Sequence, residues 1–81
     1  MENANKLLSV VVPVYNEVAV LDEFHGRLVA ALDALDCDTE IIYVDDGSED
    51  GSVDLVLAMR DEDAKVGLID LTIFLVGLQT G

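Results

Sequence analysis

Eighty-one residues, 52% of them hydrophobic, with a formal net charge of −13, describe one globular unit, since a disordered chain of this charge carries far fewer apolar side chains. Four Lys and Arg against seventeen Asp and Glu repel phosphodiester backbones and anionic lipid surfaces, which argues against nucleic acid as a partner. The same field repels a nucleotide diphosphate unless a divalent cation or backbone donors intervene, and an acidic surface that only aids solubility is the simpler reading of the charge.

We read residues 1–81 as a single domain, with a core over 7–71 and an apolar tail over 72–81. Residues Leu7 to Val14 (LLSVVVPV) are β-branched and apolar on both faces, as in a strand buried on both sides of a parallel sheet. Pro13 has no N–H for the ladder and suits the end of that strand. From Val20 the period changes. Leu21, Phe24, Leu28, Ala31 or Leu32, and Leu35 recur at three- and four-residue steps, with Asp22, Glu23, Arg27 and Asp33 on other faces, which predicts an amphipathic helix of about four turns. His25 falls among polar neighbours there and reads as a surface residue. The polar stretch Asp36 to Thr39 ends the helix, and Glu40 to Val44 (EIIYV) supplies a second short strand. The lone Cys37 cannot form an internal disulfide and fits a reducing, cytoplasmic compartment.

Asp45 to Ser52 (DDGSEDGS) is turn chemistry throughout. Gly47 and Gly51 are available for positive φ, and Asp50 or Ser52 is placed to cap the helix that follows. That helix runs from about Val53 to Arg60, and Val66 to Leu71 (VGLIDL) reads as a third strand. The order is β-α-β-α-β, half of a doubly wound, Rossmann-like α/β sheet with helical crossovers between parallel strands. Thr72 to Gly81 (TIFLVGLQTG) either extends strand three, begins another element or is the stub of a truncation. The N-terminus lacks the pattern of a signal peptide, and no apolar run reaches the ~20 residues that span a bilayer. A membrane anchor beyond Gly81 in a longer parent is compatible with this.

In an open parallel sheet, ligands bind outside the carboxyl ends of the strands. Two polar clusters stand at that edge: Tyr15, Asn16 and Glu17 after strand one, and Asp45, Asp46, Gly47 and Ser48 after strand two. A carboxylate accepts from a base imide or ribose hydroxyls, and a tyrosine ring stacks on a base, so the set suits a nucleoside better than a phosphate. The glycines form neither a Gly-x-Gly-x-x-Gly nor a Gly-x-x-x-x-Gly-Lys pattern, which sets aside dinucleotide and triphosphate loops. An ordinary acidic capping turn is the bland alternative for Asp45 and Asp46. Asp46, Ser48, Asp50 and Gly51 also imitate the first half of an EF-hand loop, but Leu57 stands where that loop requires a glutamate.

Leu8 to Glu17 (LSVVVPVYNE), a helix, then Glu40 to Ser48 (EIIYVDDGS) with Asp50, Gly51 and Ser52 after it resembles the opening of family 2 glycosyltransferases with the class A fold. The resemblance runs over about the first seventy residues and is strongest to polyprenyl-phosphate sugar transferases of the dolichyl-phosphate mannosyltransferase and bactoprenol glucosyltransferase type. It implies transfer of a sugar from a nucleotide diphosphate donor, UDP- or GDP-linked, to a lipid phosphate at the cytoplasmic face of a membrane. By the same resemblance Pro13, Tyr15 and Glu17 line the nucleoside pocket, Asp46 binds the base, and Asp45 and Ser48 shape the turn or contact the ribose. It further implies Mg²⁺ or Mn²⁺ held by an Asp-x-Asp motif after a fourth strand, with the catalytic base and acceptor site further on. None of these follows strand three here, so no catalytic residue or metal ligand is assigned, and the expectation is the donor-binding half of a longer enzyme, inactive alone. Relatives of the bactoprenol type carry an Arg-Asn-Phe-Gly-like segment after strand three. Here Ile73, Phe74 and Leu75 follow Thr72, so the tail is expected to have left the family pattern, as a truncation or an altered reading frame produces. The competing expectation is a self-contained acidic module that pairs with its own copies through an open sheet edge and a poorly covered face.

Overall fold

The structure, a computed structural model, describes residues 6–71; the readings made for residues 1–5 and 72–81 lie outside them. Five elements follow in order: β1 (Leu7–Val14), α1 (Val18–Asp33), β2 (Asp38–Asp45), α2 (Ser52–Glu62) and β3 (Val66–Asp70). The β-branched run of LLSVVVPV becomes β1 as expected. Strand β2 starts two residues before the apolar stretch that announced it, because the Asp38 N–H donates to the Lys6 carbonyl at 3.1 Å and Thr39 is buried. Among the described residues no helix is long and apolar enough to cross a membrane.

The three strands form one parallel sheet in the order β1-β2-β3. Register pairs Val10 with Ile41 and Ile41 with Val66, then Val12 with Tyr43 and Tyr43 with Leu68. These side chains share one face, and it is the face that the helices cover. Leu21 and Leu32 of α1 and Val56 and Met59 of α2 join Val14, Ile41, Tyr43 and Val66 in a single core. Both helices lie on one side because the strand order proceeds in one direction without reversing, and crossovers of one hand then return over the same face.

The opposite face is uncovered among the described residues. Val11 is 60% exposed although its neighbour Val12 packs on the core, and Leu7 and Ile69 are exposed as well. The expectation that β1 is buried on both faces therefore holds for one face only. Towards the start of the strands this open face is polar, and the Ser9 hydroxyl donates to the Glu40 carboxylate across the pair.

The helix register also corrects the reading of His25. The side chain is half-buried, and its Nδ1 lies 2.7 Å from the hydroxyl of Tyr43, a residue with no exposed surface. Burial pushes that phenol up to about 12, and His25 meets its one polar atom, which would otherwise be stranded in the core.

Candidate functional site at the carboxyl ends of β1 and β2

Strands β1 and β2 end level with each other, Val14 opposite Asp45, and the Asp46 N–H carries the pairing one step further to the Val14 carbonyl at 3.0 Å. The two polar clusters are thereby brought to one edge. Tyr15 is 59% exposed there, and Asp46 and Glu17 are exposed beside it. Pro13 and Glu17 line an apolar groove of about 250 Å³ with Val12, Val14, Val20 and Phe24, which runs along the outer edge of β1.

The loops are tied by side-chain oxygens of the second loop accepting consecutive backbone N–H groups of the first. The Asn16 N–H donates to Ser48 Oγ at 2.8 Å, that of Glu17 to Ser52 Oγ at 3.1 Å, and that of Val18 to Asp50 Oδ2 at 3.1 Å. Asn16 answers with its own side chain, whose Oδ1 accepts from the Glu49 N–H at 2.8 Å. To make this turn Asn16 adopts φ 52°, a left-handed conformation that asparagine tolerates better than most residues.

Asp45 and Ser48 are engaged inside the loop. Asp45 is 2% exposed, its Oδ2 accepts from Gly47 N–H at 3.1 Å and Ser48 N–H at 3.0 Å, and Oδ1 is buried without a partner among the described residues. A buried acceptor of this kind calls for a donor from water, ligand or protein. Gly47 and Gly51 take φ 88° and 93°, the positive values expected of them.

Asp50 and Ser52 differ from expectation. The cap position of α2 is Gly51, and Asp50 reaches both ways: Oδ1 accepts from Ser52 N–H at 3.0 Å and Ser52 Oγ at 2.6 Å, while Oδ2 serves α1. The Ser52 hydroxyl bond, with those from Val18 and Ser52 N–H, holds the Asp50 carboxyl below the usual carboxylate range. Sequence reasoning placed Asn16 in the cluster without a role and gave Asp50 and Ser52 to the following helix alone, where Asp50 does accept from the first N–H, and missed that Ser52 Oγ and Asp50 Oδ2 also serve residues 17 and 18. The alternation of Ser48, Asp50 and Ser52, acceptors at every second position, is the signal that could have shown one side of the loop facing a row of donors.

The same bonds dispose of the EF-hand likeness, since Ser48 and Asp50 turn their oxygens to residues 16 and 18. Among the described residues no group of three or more His, Cys, Asp or Glu side chains is placed to hold a metal ion.

The sequence matches the model of glycosyl transferase family 2 over residues 9–78. That match runs through most of the tail that was expected to have left the family pattern. Undecaprenyl-phosphate 4-deoxy-4-formamido-L-arabinose transferase of Aeromonas hydrophila is 53% identical over 51 residues, which are 63% of this chain and 16% of that protein. The protein of the same name from Pseudomonas paraeruginosa is 49% identical over 57 residues, 70% of this chain and 17% of its own length. An uncharacterized glycosyltransferase, YkcC, of Bacillus subtilis is 38% identical over 64 residues, 79% of this chain and 20% of that protein. The chain therefore spans a fifth or less of the length of these relatives.

Proposed function

The chain belongs to glycosyl transferase family 2, and on that premise we propose that its two tied loops are the nucleoside end of a donor site for a nucleotide diphosphate sugar, UDP- or GDP-linked. Tyr15 offers its ring to the base, Asp46 accepts from the base N–H groups, and Pro13 and Glu17 form the adjoining wall. Asp45 and Ser48 shape the turn that presents Asp46. The observation that carries this reading is the level ending of β1 and β2, which sets exposed Tyr15 and exposed Asp46 at one edge while one oxygen of the Asp45 carboxylate and the hydroxyl of Ser48 are spent on the loops.

In an enzyme of the relatives' length, we propose transfer of the sugar to a polyprenyl phosphate, as the names of the Aeromonas and Pseudomonas proteins suggest. The bond from the anomeric carbon to the donor phosphate breaks, a bond to an acceptor phosphate oxygen forms, and a nucleoside diphosphate leaves. A divalent cation would neutralise that leaving group, and no step is assigned to one through the residues described. This chain supplies base recognition and is inactive alone.

Titration of the chain with UDP and GDP, followed by amide NMR, tests the site. Weak binding that shifts the Tyr15 and Asp46 amides is expected, lost in Tyr15→Ala and in Asp46→Asn. A protein of full family length containing this sequence that neither binds, hydrolyses nor transfers any nucleotide sugar would sink the reading.

The uncovered sheet face favours a second reading, association between copies, because Val11 and Ile69 remain 60% and 46% exposed on it. Sedimentation decides: a stable monomer at low and high salt removes this reading, and the net charge of −13 makes low salt the condition least favourable to pairing.

A further inference from the structure

Among the described residues β1 is an edge strand, with β2 on one side and no strand on the other. The Lys6 and Val14 carbonyls accept from the Asp38 and Asp46 N–H groups. Backbone groups alternate in direction along a strand, so the even-numbered residues of β1 are spent on β2. Leu7, Ser9 and Val11 then turn N–H and carbonyl groups outward, and Pro13 a carbonyl alone. The proline stands where its missing N–H costs the β1–β2 ladder nothing. Such a row of open donors and acceptors is a template for a further strand.

The surroundings of this edge fit a second copy of β1 laid antiparallel. In a chain with seventeen Asp and Glu, Leu7–Val14 carries no charged side chain, so two copies meet there without the repulsion they meet elsewhere. An exposed cation, Lys6, stands before the strand and an anion, Glu17, after it, and antiparallel pairing brings the one towards the other. A two-fold axis perpendicular to the sheet keeps each side chain on its own face, and Val10 can stand on that axis. Ser9 then exchanges both backbone bonds with Val11 of the second copy, and Leu7 donates to its Pro13 carbonyl. In the same register Leu8 stands opposite Val12, and Lys6 opposite Val14. The groove of about 250 Å³ opens beside Val12 and Val14, lined by Val20 and Phe24 as well, with Glu17 on its wall. It offers an apolar seat to Leu8, which is 41% exposed although it lies on the side of the sheet that the helices cover, and it brings Lys6 to Glu17. Moving Ser9 onto the axis instead puts Lys6 opposite Val12, into the apolar part of the groove.

We infer that β1 is a pairing edge: two copies of this chain join antiparallel across it, with Val10 on the axis, Leu8 of each in the groove of the other, and Lys6 of each beside the other's Glu17. This rests on the reading of association between copies given above and supplies its surface, the edge of β1 and not the free face that bears Ile69.

The test is sedimentation of the 81-residue chain at rising concentration in added salt, with amide exchange read at Ser9 and Val11. The mass is expected to approach twice that of the monomer. The Ser9 and Val11 amides should gain protection as it does, while those of Val10 and Val12, bonded to β2, are protected throughout. Leu8→Ser and Ile69→Ser leave the net charge unchanged; the first should weaken association at least about tenfold, since each dimer loses two seated side chains, and the second should leave it as it is. Lys6→Glu and Glu17→Lys should each weaken it, and the two combined should restore it. A dimer that survives Leu8→Ser and is lost in Ile69→Ser overturns the inference and keeps association between copies. A monomer at every concentration overturns both. Should Leu8→Ser fail to fold, the charge exchange decides alone, and a combined variant that associates no better than the single ones overturns the inference.

Discussion

Replacing Asn16 by alanine tests the tie between the loops through two separable costs. The first is the acceptor for the Glu49 N–H, 2.8 Å away. Its loss is worth about 1 kcal/mol, since the freed amide is near the surface and can turn to water. The second is the backbone: at φ 52° a residue with a Cβ pays roughly 1 kcal/mol or more, a strain that asparagine eases and glycine lacks. Asn16→Ala is therefore expected to lose about 2 kcal/mol, or roughly 8–16 °C in Tm at the ~4–8 °C per kcal/mol of a domain this small. Asn16→Gly loses the acceptor without the strain and should fall between alanine and the unaltered chain. Asn16→Asp keeps an acceptor but sets a charge beside Glu49 and Asp50, and its deficit should shrink with added salt. Urea unfolding followed by far-UV circular dichroism measures all three, and amide exchange at Ser48 and Glu49 locates the damage. Equal losses in the alanine and glycine variants would refute the strain argument, and an alanine variant as stable as the unaltered chain would refute the tie itself.

Ser52→Ala leaves the Glu17 N–H without its acceptor beside a fully buried position, and should cost about 1–3 kcal/mol by the shift of the urea midpoint. Tyr43 ionises at about 12 in the fold against 10.0 when exposed, so the unfolded chain releases its proton first: its contribution to stability is complete below pH 10 and is lost as pH rises towards about 12. Tyr43→Phe should flatten that alkaline limb, and a limb unchanged by the substitution would count against the assignment. For Asp50 the sign is opposite. Its carboxyl is held below the usual range by Ser52 and Val18, so its contribution is present above the ordinary carboxylate range and is lost as pH falls through the lowered value. Asp50→Asn should be less sensitive to acid than the unaltered chain, by unfolding midpoints at descending pH.

The five elements could be read from the sequence because each is announced by local chemistry: the β-branched run before Pro13, the three- and four-residue steps of Leu21, Phe24 and Leu28, the glycines at 47 and 51. That Tyr15 and Asp46 stand at the same sheet edge followed from parallel pairing. What could not be read is what depends on docking. His25 is 18 residues from Tyr43 in sequence, and only the rotation of α1 on the sheet decides that it turns inward. The bonds from Asn16, Glu17 and Val18 cross 32 to 35 residues, and Asp50 and Ser52 are as good caps for the helix they precede as for the one they serve. The exposure of Val11 beside buried Val12 has the same origin, since strand order and the hand of the crossovers choose the covered face.

The apolar surface left open runs from β1 to β3, and the loops of the site follow β1 and β2. Val11 and Ile69 on the free face, and Val20 and Phe24 along the groove that Glu17 also lines, are exposed. The geometry of the loops needs none of it. Among the described residues, the side-chain bonds that fix residues 16–18 against 48–52 run directly between the two loops. Order of that kind is already present before a ligand arrives and lowers what binding must spend on it. Weak nucleotide affinity in this chain would then reflect contacts that it does not supply, and the amides of the tied loops should show little change in exchange protection when a nucleotide binds.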